Sequence, residues 1–325
     1  MTVIAGAHEL LDSDVYVDLR PILGVALHLK CGGLNFAGSL KVQPAAAMVA
    51  AAQRDGLIGP GSTLIESSSG NLGVALAMIA ASKGLKFVCV TDPKCNPTSA
   101  GLMRALGAEV VVVDERDETG GYLGTRKAYV RQRCAQDPSC VWLNQYENPA
   151  NWLSHYENTA ATIAKRFADL DTLFIGAGTG GTLTGCTRYF REHRPQVRII
   201  AVDSVGSVNF AGPASARHIP GLGASAPMPL IDPGLVDELD EVLHIPEIDA
   251  IRTCRRLAAR GLLLGGSSGT VITAAARWLA ERDEPARTAV AIAPDLGERY
   301  IDTIYDDLWV ARHYGRDARE LLENP

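Results

Sequence analysis

The chain has 325 residues, of which 47 % are hydrophobic and 21 % are charged, and its formal net charge is −6. This length allows two domains with separate cores, and the composition is that of a globular protein. No basic block points to a nucleic-acid partner, and no apolar run approaches the roughly 20 residues needed to cross a membrane, so we expect neither partner.

The N-terminus and the cysteines both indicate a reducing compartment. Glu9 and Asp12 stand where a secretory signal would have a basic start followed by an apolar core. The seven cysteines form no CxxC pair and no Cys/His cluster at zinc spacing. We therefore expect a cytoplasmic protein with reduced, mostly buried thiols and no metal site.

The first half of the chain alternates short apolar segments with helical ones. Segments 25–29, 63–66, 86–91 and 109–113 predict strands, and the last, with its four consecutive valines, predicts the clearest buried strand. Between them, an alanine-rich helix follows Lys41, a second helix runs from residue 71 to about 82, and a third ends near Gly107.

The same alternation returns in the second half of the chain. Strands are predicted at 173–175, 197–202, 242–245 and 289–292, with helices near 180–192, 247–259, 269–281 and 297–305. Such alternation is typical of parallel βαβ units. We therefore predict an α/β fold of two open, doubly wound parallel-sheet domains, residues 1–147 and 148–325. The irregular stretch 206–233, rich in Gly, Pro, Ser and Ala, is predicted to be a functional loop.

Lys41 is the first candidate for chemistry. It follows the turn residues Gly38 and Ser39 and precedes Pro44, which suits the first turn of a helix. The partial positive charge at a helix N-terminus lowers the pKa of a lysine, and a neutral amine forms Schiff bases with carbonyl compounds or pyridoxal phosphate. The alternative for a lysine taken alone is a solvated surface side chain.

Three loops that lead into helices are candidates for binding a ligand at the carboxyl ends of strands. Residues 67–73 and 265–269 combine serine and glycine, and they either bind an anion or simply cap their helices. Residues 176–182 hold four glycines and two threonines, typical of a phosphate site, although no lysine follows as in a Walker loop. Together with Lys41, the loops predict a site for a phosphorylated aldehyde, pyridoxal phosphate.

The sequences GSLK, SSSGNLG, GTGGT and GGSSG, in this order, resemble the fold type II pyridoxal-phosphate enzymes, the tryptophan synthase β-like family of cysteine synthase and cystathionine β-synthase. The resemblance implies that Lys41 carries the cofactor as a Schiff base and moves the α-proton of the substrate. It also implies that the cofactor ring oxygen is bound by Asn71, the cofactor phosphate by Gly178, Thr179, Gly180, Gly181 and Thr182, and the substrate carboxylate by Ser68, Ser69, Gly70 and Gln145. Ser267 would face the pyridine nitrogen, and a hydroxyl there implies a moderate electron sink that favours β-elimination over transamination.

Further stretches resemble one branch of that family: GGYLGTR, NQYENPANW, AVDSVGSV, IPGLGAS and PDLGERY. Enzymes of this branch replace the phosphate of O-phospho-L-serine with the amine of L-glutamate, the first step toward L-2,3-diaminopropionate for siderophores or peptide antibiotics. The likeness implies small amino-acid substrates, a homodimer and a mobile subdomain at about 72–130. Val42 and Gln43 stand where the family commonly has Asp and Arg, which leaves the second substrate open.

Arg126 and Tyr146 are further candidates for contact with the substrate. The planar guanidinium of Arg126 suits a phosphate or a carboxylate, and the alternative is an arginine on a helix surface. Tyr146 either contacts the substrate through its hydroxyl or packs in the core. No partner pattern gives a role to His155, His218 or His244.

Three alternative functions stay open. A cysteine synthase would keep the cofactor but use sulfide with O-acetylserine or O-phosphoserine. A nucleotide-binding module would use only the glycine-rich residues 176–182. A non-catalytic relative would bind the cofactor and serve as a partner subunit.

Overall fold

The computed structural model describes residues 3–118, 120–282 and 288–315, and these form an α/β structure with two sheets. The strands are β1 (Tyr16–Asp18), β2 (Leu27–Cys31), β3 (Thr63–Ser67), β4 (Lys86–Thr91), β5 (Glu109–Val112), β6 (Cys140–Trp142), β7 (Leu170–Gly176), β8 (Arg198–Ser204), β9 (Glu241–Ile245) and β10 (Thr288–Ala293). The α-helices are α1 (Arg20–Leu23), α2 (Val42–Arg54), α3 (Asn71–Lys83), α4 (Pro97–Ala105), α5 (Leu123–Gln136), α6 (Pro149–Ser154), α7 (Ala161–Arg166), α8 (Gly181–His193), α9 (Pro233–Asp237), α10 (Glu247–Ala258), α11 (Gly266–Ala280) and α12 (Asp307–Tyr314). A π-helical segment, His155–Ala160, joins α6 to α7.

The smaller sheet has four parallel strands in the order β5-β4-β3-β6. Strands β3 and β4 at its centre carry runs of buried residues, as parallel strands do when helices cover both faces. Helix α3 packs against both of them and is covered by α2 and α4, which explains why it is apolar on every side. The valine run that predicted the clearest buried strand forms β5, but β5 is the half-buried edge of the sheet. That prediction was wrong because valines favour strands at an edge as well as at a centre.

The larger sheet has six strands in the order β1-β2-β10-β7-β8-β9, all parallel except β1. Residues 16–31 therefore pair with the sheet of the second half of the chain rather than with the predicted first domain. Strand β2 occupies the side of β10 that β7 leaves open, where backbone N–H and C=O groups need partners. The division of the remaining chain near residue 147 and the mobile subdomain at 72–130 stay predictions.

The predicted parallel-sheet α/β fold is confirmed, with strand positions shifted by at most a few residues. Sequence patterns missed β1 and β6, because strands of three residues are too short to show a period. The helix predicted at 297–305 is wrong. Only a short turn, Glu298–Tyr300, forms there, and α12 begins later, where the Asp306 carboxylate accepts a hydrogen bond from the Trp309 N–H at 2.6 Å.

The carboxyl ends of strands from both sheets face one cleft of about 600 Å³. Residues that follow β3 and β4 line one wall, and residues that follow β7, β8 and β10 line the other. This is the position at which open parallel sheets bind ligands. Among the helices of the described ranges, none has the length and apolar character of a membrane span.

Candidate active site

Lys41 is held at the floor of the cleft by the segment that follows β10. Ser39 forms an antiparallel bridge with Asp295, the Leu40 N–H donates to the Pro294 carbonyl at 2.7 Å, and the Leu296 N–H donates to the Gly38 carbonyl at 3.1 Å. Lys41 itself occupies the N-cap position of α2, as the sequence predicts. A segment from the far end of the chain thus fixes the backbone of the candidate nucleophile.

The Lys41 side chain is partly accessible from the cleft and otherwise surrounded by protein. Burial lowers its pKa to about 8, because removing water disfavours the charged ammonium. The lowered pKa agrees with the sequence prediction, but its cause is burial and not the helix N-terminus. A larger fraction of this amine is therefore neutral near physiological pH than for an exposed lysine.

Residues 178–182 form the turn that leads from β7 into α8. Gly180 has φ +96°, a conformation that favours glycine. A Cβ on Gly178 would lie 2.6 Å from the Gly221 carbonyl oxygen, and one on Gly181 would lie 2.0 Å from Asn151 Oδ1, so side chains are excluded at both positions. Within the described chain, the N–H groups of residues 178–183 donate to no acceptor, which leaves them free for an anion at the positive end of α8.

Two residues that sequence reasoning did not assign support this turn. Asn151 is buried and donates to the Gln145 carbonyl at 2.7 Å, and its amide also lies 3.5 Å from Thr179 Oγ1. His155 Nε2 lies 3.3 Å from Thr182 Oγ1. Burial and the nearby charge of Lys41 lower the pKa of His155 to about 3, so the imidazole is neutral. Both side chains reach the turn from the helical segment 149–166, and only the tertiary packing reveals that approach.

The Asn71 side-chain amide is fixed in one orientation by two partners. Its Nδ2 donates to Asp295 Oδ2 at 2.9 Å, and its Oδ1 accepts a hydrogen bond from Arg299. Arg299 also donates to the Ala37 carbonyl, which ties it to the loop before Lys41. One N–H of Asn71 is left over, and it is available for an acceptor such as the ring oxygen of a cofactor.

Ser267 lines the cleft at the start of α11 and is 1 % exposed. Its hydroxyl donates to Asp295 Oδ1 at 2.8 Å. Asp295 is itself buried, and Tyr300 donates to its other oxygen. Asp295 was missed at the sequence level, where the only signal was its place in the PDLGERY stretch.

The candidate substrate loop lies between β3 and α3. Ser68 Oγ accepts from the Gly73 N–H at 3.0 Å, so it caps α3 while lining the cleft beside Ser69 and Gly70. The capping alternative and the cleft position therefore hold together for Ser68. Its hydroxyl hydrogen stays available to a ligand.

Gln145 and Tyr146 also line the cleft, and both are tied to the last residue of β3. Gln145 Nε2 and the Tyr146 hydroxyl donate to the Ser67 carbonyl, at 2.9 and 3.0 Å. The Gln145 N–H donates to Glu66 Oε2 at 3.1 Å. Burial raises the pKa of Glu66 to about 7, so this unassigned carboxyl group sits in a water-poor region under the substrate loop.

Arg126 is buried in the cleft wall, which excludes the alternative of a surface arginine. It is 9 % exposed, and its Nε lies 3.3 Å from the Asp92 carboxylate. Its Nη1 is buried and has no hydrogen-bond partner among the described residues. A buried N–H donor without an acceptor is costly, so an anionic group in the cleft would satisfy it.

The irregular stretch predicted to be a functional loop closes the far side of the cleft. Residues 214–225 line it, and Gly221 packs so closely on Ser267 that a Cβ there would lie 3.1 Å from the serine oxygen. Glu247 holds this loop through the His218 and Ile219 N–H groups, at 2.9 and 2.8 Å. His218 lines the cleft, whereas His244 is exposed outside it.

The residues present fit pyridoxal phosphate. The turn 178–182 offers backbone donors for a phosphate, Lys41 offers a partly neutral amine, and Asn71 offers one oriented N–H. Ser267 closes the opposite end of the same cleft. These groups match an aldehyde, a phosphate and a hydroxypyridine ring in a single ligand.

Comparisons with known proteins agree with this site. A model of the family described as "Pyridoxal-phosphate dependent enzyme" matches residues 16–295. A protein from Cupriavidus metallidurans named N-(2-amino-2-carboxyethyl)-L-glutamate synthase is 44 % identical over 317 residues, which cover 95 % of this chain and 92 % of the relative. One of the same name from Ralstonia nicotianae is 45 % identical over 281 residues, which cover 86 % and 82 %.

A solved structure supports the fold assignment. The crystal structure of O-ureido-L-serine synthase superimposes with a TM-score of 0.85 at 31 % identity, covering 95 % of this chain and all of the other. The family match includes both Lys41 and the turn 178–182.

Proposed function

Because the chain belongs to the family of pyridoxal-phosphate dependent enzymes and is a β-substituting enzyme of the cysteine synthase type, we propose that it joins O-phospho-L-serine to L-glutamate. The products would be N-(2-amino-2-carboxyethyl)-L-glutamate and phosphate. The names of the two relatives support this choice of reaction. The reaction would be the first step of L-2,3-diaminopropionate synthesis for a siderophore or a nonribosomal peptide.

The observation that carries the proposal is the buried Arg126. Its Nη1 faces no acceptor in the described chain, and Asp92 neutralises only one positive charge. A leaving phosphate carries about two negative charges and three acceptor oxygens, which a guanidinium binds well. A neutral acetyl leaving group would leave this donor unused.

The chain's own residues divide the work around the reacting carbon atoms. When bound, the cofactor withdraws electrons from the α-carbon of the substrate. The Lys41 amine removes the α-proton and later returns it, which its lowered pKa favours. Arg126 stabilises the departing phosphate, and the glutamate amine bonds to the β-carbon that the phosphate leaves. The substrate carboxylate is bound by Ser68, Ser69, Gly70 and Gln145, with Tyr146 beside them.

The assembly and the location of the protein belong to the same proposal. A homodimer and a cytoplasmic setting fit a biosynthetic enzyme that acts on small amino acids. Size-exclusion chromatography with light scattering measures the first, and a fusion to a fluorescent protein reports the second.

A competition between nucleophiles tests the reaction. Purified holoenzyme receives O-phospho-L-serine with equal concentrations of L-glutamate or sulfide, and mass spectrometry identifies the products. We expect the glutamate adduct and an equal amount of phosphate. Lys41→Ala should abolish both together with the visible absorbance of the bound cofactor, whereas Lys165→Ala on the exposed face of α7 should keep them. Rapid cysteine formation without the adduct would instead identify a cysteine synthase.

A further inference from the structure

Asp295 is the most enclosed acidic side chain next to the cleft. It follows β10, is 1 % exposed, and does not itself line the cleft wall. Three side chains donate to its two carboxylate oxygens: Ser267 at 2.8 Å, Asn71 at 2.9 Å, and Tyr300. Among the described residues, no lysine or arginine forms an ion pair with it.

The direction of the hydrogen bond between Ser267 and Asp295 follows from this environment. A carboxylate surrounded by donors is ionised, and an ionised carboxylate can only accept. Ser267 must therefore donate its single hydroxyl hydrogen to Asp295. What Ser267 presents to the cleft is an oxygen with free lone pairs.

We propose that Asp295 makes Ser267 a hydrogen-bond acceptor toward the cofactor ring, so that the pyridine nitrogen keeps its proton. An oxygen without a free hydrogen can bind an N–H group but cannot donate to a bare ring nitrogen. The buried negative charge behind it acts in the same direction, because the low-polarity surroundings screen it weakly. Asp295 is thus a positioning residue that acts through Ser267.

The consequence is a stronger electron sink than a serine alone implies. A protonated pyridine withdraws more electron density from the substrate than a neutral one. The sequence resemblance implies a moderate sink on the identity of Ser267, and Asp295 changes that expectation.

The ring nitrogen of the bound cofactor reports the effect directly. The holoenzyme is loaded with pyridoxal phosphate labelled with ¹⁵N in the ring, and solid-state NMR records the ¹⁵N shift. We expect the wild-type signal in the pyridinium range. In Asp295→Asn the amide can donate to Ser267, which frees the hydroxyl hydrogen for the ring nitrogen, so the signal should move toward unprotonated pyridine.

Ser268→Ala is the matched control. Ser268 Oγ lies 3.1 Å from the same Asp295 Oδ1, but Ser268 does not line the cleft. Its variant should keep the wild-type ¹⁵N shift. An equal shift change in Ser268→Ala and Asp295→Asn would overturn the proposal, as would a wild-type signal in the unprotonated range. That wild-type signal decides the question even if Asp295→Asn does not retain cofactor.

Because this inference rests on the proposed placement of the ring beside Ser267, a further variant separates the two failures. If Ser267→Ala changes the ¹⁵N shift but Asp295→Asn does not, the ring lies there and the role of Asp295 is wrong. If neither variant changes the shift, the ring lies elsewhere and the placement fails as well.

Discussion

Asn71 and Asp295 join the two sheets across the floor of the cleft through a hydrogen bond of 2.9 Å, although they are 224 residues apart. Asn71 begins the helix after β3, and Asp295 follows β10. The same amide is positioned to bind the cofactor ring oxygen. Cohesion between the two halves and recognition of the cofactor therefore depend on one side chain.

We predict that Asn71→Ala destabilises the apoprotein as well as weakening cofactor binding. Hydrogen bonds to charged partners contribute about 1.5–3 kcal/mol each, and this change removes one to Asp295 and one to Arg299. We expect a loss of about 2 kcal/mol in the free energy of unfolding, measured by urea titration. Ser69→Ala, two residues earlier on the same loop, is the control. Equal stabilities for the two variants would contradict the role of Asn71 between the sheets.

Gly178→Ala should weaken cofactor binding without unfolding the protein. The added Cβ would lie 2.6 Å from the Gly221 carbonyl oxygen, so the turn must move away from the phosphate position. Overpacking of this kind costs about 1–3 kcal/mol, which corresponds to a rise of roughly 10- to 100-fold in the Kd for pyridoxal phosphate. Titration of the apoprotein followed by absorbance measures it. Gly59→Ala, where no atom lies within 4 Å of the new Cβ, should bind as the wild type does.

Arg126 should discriminate between leaving groups. Arg126→Lys keeps the positive charge near Asp92 but loses the planar fork that binds phosphate oxygens. We expect kcat/KM for O-phospho-L-serine to fall roughly 10- to 100-fold, and that for O-acetyl-L-serine to change much less.

A double variant checks that the effect of Arg126 is not a folding defect. Asp92 is 5 % exposed, so Arg126→Ala alone would leave a buried carboxylate unpaired. Arg126→Ala combined with Asp92→Asn avoids this and should still lose activity with the phosphorylated substrate. Equal losses with both substrates would show that Arg126 only maintains the wall of the cleft.

His155 should make the protein less stable in mild acid. Its pKa is lowered to about 3 in the folded chain, compared with an ordinary value of 6.5. Between these values the unfolded chain binds the additional proton, so stability is lost as the pH falls. This group should remove about 1 kcal/mol of stability between pH 7 and pH 5.5.

Urea titrations at these two pH values measure the His155 contribution. His155→Gln should show a smaller loss than the wild type, whatever its stability at pH 7. The same substitution at exposed His244 is the control. A loss unchanged by His155→Gln would mean that other groups cause the acid sensitivity.

The sequence predicted the fold class because hydrophobic period and glycine position are local properties. The buried strand 86–91 is found with the predicted bounds, and the glycine-rich residues after β7 lead into a helix as expected. Predictions became wrong where context decides. The valine run of β5 lies at an edge, and residues 16–31 pair with the larger sheet, because neighbouring strands determine both outcomes.

The same division applies to the site. By itself the sequence determined the chemistry that is present: Lys41 at a helix start, a glycine turn able to bind phosphate, and two serine loops at strand ends. Only the tertiary structure decided how those groups behave. Burial lowers the pKa of Lys41, Asp92 and Arg126 meet inside the wall, and Asp295 takes the hydrogen of Ser267. The reason is physical: pKa values and hydrogen-bond directions depend on desolvation and on partners that folding brings together from distant parts of the chain.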